Sequence, residues 1–150
     1  MQNISSLYLV DASVFLEVEL AQKRQTECKE FLQRLARGEA SAIISDFAID
    51  SIMIAMHRHK KSGSDIRKFL LSLLLYKGLS IYSASISDKI KAAEHVGKFK
   101  LDMEDSIVLQ CALSNGINEI VSLDPHFDKI KGIKRLEPSM ANSKIENPDE

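Results

Sequence analysis

Three aspartates stand where apolar segments end or begin. Asp11 directly follows the apolar run Leu7-Tyr-Leu-Val10, and Asp124 follows Glu119-Ile-Val-Ser-Leu123. Asp105 lies near the start of a segment in which Val108, Cys111 and Ala112 recur at helical spacing, so it shares their inward face. Short continuous apolar runs read as buried parallel strands. In an open parallel sheet the groups that do chemistry gather beyond the C-terminal strand ends. Two strands far apart in sequence would each deliver an Asp there, and a helix start would add a third. Carboxylates brought together repel one another, and a hard divalent cation between them relieves the repulsion. A lone strand-ending Asp is more often a turn residue or a helix cap, and Asp124 before Pro125 is an ordinary turn starter. The expected meeting of all three favours a metal site.

The elements that must position these acids alternate. After strand 7–10 a helix begins at Ala12. A second, Gln22 to Arg37, carries the stripe Cys28, Phe31, Leu32 and Leu35 and closes at Gly38. Strand 42–45 leads to a helix capped by Ser45 or Asp46, with Ile49, Ile52, Met53 and Met56 inward. Ser64 is expected to cap a helix over 65–77, whose LLSLLLY is apolar on more than one side and so reads as deeply buried or at a subunit interface. Strand 79–82 precedes a helix capped by Ser85 or Ser87, with Ile90, Ala93 and Val96 inward. Asp102 caps the helix that carries Asp105, and Asn115-Gly116 ends it. Ile133 to Leu136 is a last edge strand. This alternation predicts an α/β fold, a three-layer α/β/α domain with a mostly parallel central sheet. A single domain is expected over 1–138. The polar, aperiodic stretch 139–150 is expected to be a disordered tail.

Composition narrows the function classes. The net charge of −1 over 150 residues excludes a global basic field, so any polyanion must be met by a local patch. Cys28 and Cys111 fall on apolar helix faces without zinc spacing and read as buried thiols of a reducing compartment. The N-terminus lacks a basic region before its apolar run, so no signal sequence is expected, and no stretch is long enough to span a membrane. The expected localisation is cytoplasmic. No Ser–His or Cys–His arrangement offers a protein nucleophile. A phosphotransferase of the haloacid-dehalogenase kind needs a second Asp where Ser13 stands, and a receiver domain needs an acid where strand 79–82 ends in Ser83.

Three segments, LYLVDASVFL (7–16), ISDFAIDSIMIAM (44–56) and DMEDSIVLQCALSNGINEIVSLDPHF (102–127), together resemble the PIN domain, the metal-dependent ribonuclease fold of many prokaryotic toxins. Each motif is only an acid beside an apolar run; their joint order carries the resemblance. It implies a metal-dependent endoribonuclease that holds Mg²⁺ or Mn²⁺ through Asp11, Asp105 and Asp124 and cuts RNA. It also implies supporting roles for Ser122, two residues ahead of Asp124, and for Ser13, which reads equally well as a helix-start hydroxyl. The pattern of an acid, a small residue and an apolar helix falls on Asp105-Ser106, with the neighbouring Glu104 as its near miss. PIN domains also place a Glu within two turns of the second inward helix. Here that position is Ser51 or, one residue earlier, Asp50, a shorter arm rotated by about 100°. The departure leaves open a PIN-fold module that binds RNA or protein without cutting. The apolar helix 65–77 together with the resemblance implies a homodimer, and the toxin relatives imply an antitoxin partner. His57, His59 and His95 read as surface residues and His126 as a loop residue beside Asp124. Lys98, Lys100, Lys129, Lys131, Lys134 and Arg135 either ring a nucleic-acid path or simply solvate the surface.

Overall fold

In a computed structural model, which describes residues 7–149, five strands form one parallel sheet in the order β3-β2-β1-β4-β5. The strands are β1 (Leu7–Val10), β2 (Ser41–Ser45), β3 (Leu79–Tyr82), β4 (Glu119–Val121) and β5 (Lys134–Leu136). Residues 1–6, part of the expected domain and the place where no signal sequence is expected, and residue 150 lie outside the described residues. The helices are α1 (Ala12–Glu19), α2 (Gln25–Arg37), α3 (Asp46–Arg58), α4 (Gly63–Leu73), α5 (Ile86–Phe99), α6 (Met103–Ser114) and α7 (Pro138–Glu146). A 3₁₀ turn, Pro125–Lys129, joins β4 to β5.

The three layers follow from strand alternation. Tyr8 and Val10 of β1 point into one core, with Ala42 and Ile44 of β2 and Val121 of β4, against α1, α2, α3, α4 and α7. Leu9, Ile43 and Ile120 point the other way, against α5 and α6. Within the first core Tyr8 meets Phe31 edge-on at 6.1 Å, and Phe15 meets Phe69 at 6.0 Å. α6 is buried continuously from Asp105 to Ala112, a helix enclosed on all sides rather than one with a single inward stripe. The β1–β2–β3 half runs one way from the centre, and β4 returns to the other side of β1. The sheet's switch point therefore lies between the C-terminal ends of β1 and β4, where Asp11 and Ser122 emerge.

One junction demands glycine. Gly78 enters β3 with its N–H donating to the Leu35 carbonyl at 2.9 Å and its own carbonyl accepting from Ala42 at 2.7 Å. A Cβ there would stand 2.0 Å from the Ala40 carbonyl oxygen. Gly78→Ala is expected to cost about 1–3 kcal/mol through overpacking, read as a lowered urea midpoint with an unchanged m-value.

Four readings need correction. The tail expected from 139 onward is helical through Glu146: α7 packs on α2, with Ala141 fully buried. Its anchors come from distant residues. Lys144 pairs with Glu119 at 2.6 Å, Glu146 with Arg34, and the Asn142 amide donates to the Glu27 carbonyl at 3.1 Å. α4 is neither deeply buried nor as long as expected. Ser62, not Ser64, caps it in a reciprocal pair with Asp65, and it ends at Leu73, leaving Leu74 and Leu75 exposed. α5 turns a different face inward: Ala92 is buried while Ile90 and Val96 are exposed. Small Ala92 lets α5 approach α6 closely, and polar groups fill the flanks of the contact. The Asp88 carboxylate accepts from Tyr82 Oη at 2.7 Å and from Ser114 Oγ at 2.6 Å. His95, expected at the surface, is half-buried in that seam, 2.8 Å from Gln110 Oε1.

Candidate metal centre

Asp11 leaves β1 with its backbone N–H donating to the Val121 carbonyl at 3.0 Å, which stitches it to the end of β4. Its carboxylate is buried. Ser13 Oγ donates to Asp11 Oδ2 at 2.8 Å and Ser122 Oγ donates to the same oxygen at 2.7 Å. Ser122 Oγ in turn accepts from the Asp124 backbone N–H at 2.9 Å, and Ser13 Oγ accepts from Leu123 N–H at 3.2 Å. The two serines thus tie the end of β1 to the loop that carries Asp124. Burial raises the Asp11 pKa, the two hydroxyls oppose that rise, and repulsion from Asp124 adds to it.

Asp105 enters the same place from α6. Asp102 caps that helix, accepting from the Asp105 N–H at 2.7 Å. Asp105 is 5% exposed, whereas Glu104 faces solvent, so adjacent acids are separated by helix rotation. Burial pushes the Asp105 carboxyl up to about 6. A hydrogen bond with His126 opposes the rise, while repulsion from Asp124, Asp102 and Asp11 reinforces it. His126 joins the two sides: its Nδ1 lies 3.1 Å from Asp105 Oδ2 and 3.0 Å from Asp124 Oδ1. Hydrogen bonding to Asp105, then attraction to Asp124, raises its pKa.

A salt bridge holds the loop in place. The Arg135 guanidinium grips the Asp128 carboxylate at 2.7 and 3.1 Å and donates to the Ser122 carbonyl at 3.1 Å. Arg135 is therefore occupied in clamping the 122–128 segment onto β5 and does not belong to an open basic path. Lys129 caps the Lys100 carbonyl at 3.1 Å, and Lys98 lies over the Phe99 ring at 5.1 Å. Lys100, Lys131 and Lys134 are exposed.

The expected residues are thus brought together unequally. Asp11, Ser13, Ser122 and Asp124 form one bonded group, and Asp105 faces it across His126. Asp50 is exposed on α3, its side chain without a hydrogen bond or ion pair to another described residue, and Ser51 is half-buried beside it. Asp46 ends β2 much as Asp11 ends β1, yet its carboxylate accepts from Phe47 N–H at 2.8 Å and Ala84 N–H at 3.3 Å, which holds the β3–α5 connection. From sequence His126 reads as a loop residue beside Asp124. The available signal was its place two residues after Asp124, whose carboxylate accepts the His126 N–H at 2.9 Å in a tight turn.

Among the described residues, the ligand atoms that lie within 4.8 Å of one another, close enough to share a divalent cation, are those of Asp102, Asp105 and His126, while Asp11 and Asp124 flank that set. The carboxylate donors are hard oxygens, two of the carboxyls are raised by burial, and mutual repulsion adds to both shifts, an electrostatic frustration that a dication would relieve.

Solved structures share this arrangement of strands and helices. A toxin–antitoxin complex from Klebsiella pneumoniae superposes with a TM-score of 0.64 at 18% identity, covering 87% of this chain and 97% of that chain. VapBC2 from Rickettsia felis, bound to a DNA fragment from its promoter, gives 0.67 at 14% identity, covering 87% and 98%. VapC20 of Mycobacterium tuberculosis, a toxin that cleaves the sarcin-ricin loop, gives 0.63 at 13%, covering 79% and 90%. Comparison with curated protein sequences returns no match. The sequence profile of the PIN domain matches residues 8–133, a span that runs from β1 past the loop bearing Asp124. With the parallel sheet and its acid-bearing switch point, that match bears out the resemblance seen in the sequence: the chain belongs to the PIN domain family.

Proposed function

We propose that this protein is a metal-dependent ribonuclease acting at the Asp11–Asp105–Asp124 centre, and that it serves as the toxin of a toxin–antitoxin pair. What supports the reading is the placement of Asp11, Asp124 and Asp105 around the sheet's switch point, near enough that burial and mutual repulsion raise Asp11 and Asp105. Asp11, Asp105 and Asp124 would hold Mg²⁺ or Mn²⁺. When bound, the ion supplies Lewis acidity, activating a water for in-line attack and offsetting charge on the phosphate in the transition state. Ser13 and Ser122 fix the orientation of the Asp11 carboxylate. The Arg135–Asp128 clamp keeps Asp124 in register with it.

Membership of a family that contains ribonuclease toxins supports the substrate class. The apolar surface around α4 supports a protein partner. Leu74 and Leu75 are exposed beside a groove of about 290 Å³ lined by Phe15, Leu32, Phe69 and Tyr76 between α1, α2 and α4. An antitoxin or a second copy of the chain would bury that surface. Both cysteines are free and buried, in keeping with a cytoplasmic setting, and among the described residues no helix is long and apolar enough to cross a membrane.

The exposed, unbonded Asp50 favours a second reading, a PIN-fold protein that binds RNA or a partner without cutting it. The deciding experiment incubates structured and single-stranded RNA with the protein in Mn²⁺, Mg²⁺ or EDTA, beside Asp50→Asn. Metal-dependent cleavage that falls less than about threefold in Asp50→Asn is expected, because surface substitutions away from a site have small effects. RNA binding with no turnover in either metal would establish the binding reading instead.

A further inference from the structure

Among the described residues His126 is the one nitrogen donor in the cluster, and the carboxylate chemistry above does not use it. Its Nδ1 stands 3.1 Å from Asp105 Oδ2 and 3.0 Å from Asp124 Oδ1. Donors about 2.1 Å from one octahedral ion stand about 3.0 Å apart when adjacent in its shell. The spacing that an N–H proton now bridges is thus also the spacing a dication requires. A donor atom each from Asp102, Asp105 and His126 lie within 4.8 Å of one another, so the group converges from both the helix start and the loop. The Asp102 carboxylate caps α6 through Oδ1 alone, and among the described residues no hydrogen bond engages its Oδ2. The His126 main chain is pinned by Asp124 at 2.9 Å, which holds the ring over the acids, while 60% of its side chain remains solvent-exposed.

We propose that His126 is a nitrogen ligand of the metal held by Asp105, with Asp102 as a further oxygen donor, and that it makes the site select Mn²⁺ over Mg²⁺. The proposal rests on the metal-centre reading above and names the ligand that sets its selectivity. The chemistry follows from ligand type. Mg²⁺ holds its water shell tightly and is served by carboxylates and water. An imidazole nitrogen is a softer donor than a carboxylate oxygen, and Mn²⁺ accepts it more readily than Mg²⁺, which keeps to oxygen donors and its water shell.

The test measures binding rather than turnover. Mn²⁺ binding to wild type, His126→Ala and Asp11→Asn is followed by loss of the free-ion EPR signal, and Mg²⁺ binding by calorimetry. The Mn²⁺-loaded wild type is also examined for ¹⁴N modulation of the electron spin echo. Expected are ¹⁴N modulation in wild type, its loss in His126→Ala, and a fall in Mn²⁺ affinity of about tenfold or more, against less than about threefold for Mg²⁺. Because the His126 side chain is largely exposed, the variant folds, which circular dichroism checks. Unchanged Mn²⁺ affinity in His126→Ala, with no ¹⁴N modulation in a wild type whose Mn²⁺ binding depends on Asp11, overturns the ligand assignment and leaves the metal centre standing. Binding of neither metal by wild type overturns both.

Discussion

Asp11→Asn is expected to reduce metal-dependent RNA cleavage on the order of 10³-fold while raising the melting temperature of the metal-free protein. The loss follows from removing the central charged ligand: Lewis-acid stabilisation is worth several kcal/mol, and about 4 kcal/mol corresponds to three decades in rate. The gain follows from the same residue's surroundings. Asp11 is buried, its ionised form is penalised by burial and by Asp124, and the hydroxyls of Ser13 and Ser122 offset that only in part. Asparagine keeps the shape and retains an oxygen that can accept from both serines. Relief of about 1 kcal/mol is expected in EDTA, which is roughly 2–4 °C for a chain of this length. Opposite signs for activity and stability are the signature of a functional carboxylate. A variant that loses both cleavage and stability would make Asp11 a structural residue, and one that cleaves normally would remove it from the site.

Metal and pH should act on stability in opposite directions, with the largest thermal effect coming from the ion itself. Consider the metal-free protein first. The Asp105 carboxyl titrates near 6 when folded, above its ordinary 3.8, so the folded chain keeps a proton that the unfolded chain has released. Stability contributed by this group is present at low pH and falls as pH rises from about 4 through 6. His126 is also raised above its ordinary 6.5, so its contribution holds below that value and disappears as pH rises through the folded one. Both groups therefore make the metal-free protein less stable at pH 8 than at pH 5. For Asp105, discounted for solvent screening on the His126 side, this amounts to on the order of 1 kcal/mol. A bound dication requires the carboxylates ionised and reverses the trend. Mn²⁺ at a hundredfold excess over its Kd stabilises by about 2.7 kcal/mol, roughly 5–10 °C here. Thermal scans in EDTA and in Mn²⁺ from pH 5 to 8 test this: the two melting curves should diverge as pH rises. Parallel curves would mean that no ion binds at Asp105.

The clamp on the loop shows how a surface charge can serve the site without touching substrate. From sequence Arg135 reads, with five nearby lysines, as either part of a nucleic-acid path or a solvating surface charge. In the folded chain its guanidinium binds Asp128, seven residues earlier, and the Ser122 carbonyl next to the site. A pair like this is worth more in geometry than in stability, since it fixes where Asp124 emerges.

The sequence by itself determined the order of strands and helices along the chain, the aspartate that ends β1, and the capped helix start that carries Asp105. Each of these depends on local rules: apolar runs, capping residues and a helical period of 3.6. The tertiary structure decided what depends on partners far along the chain. α7 is helical because Glu119, Arg34 and Glu27, distant in sequence, hold its polar face, and no local period announces it. The buried face of α5 is set by Ala92 and by the Asp88–Ser114 bond, because close approach to α6 outweighs covering Ile90 and Val96. Asp46 and Asp11 look alike in sequence, and only the fold sends one to a loop and the other to the switch point. The position of His126 between Asp105 and Asp124 likewise needs β4 to return beside β1, a pairing of chain segments more than a hundred residues apart that no short-range pattern encodes.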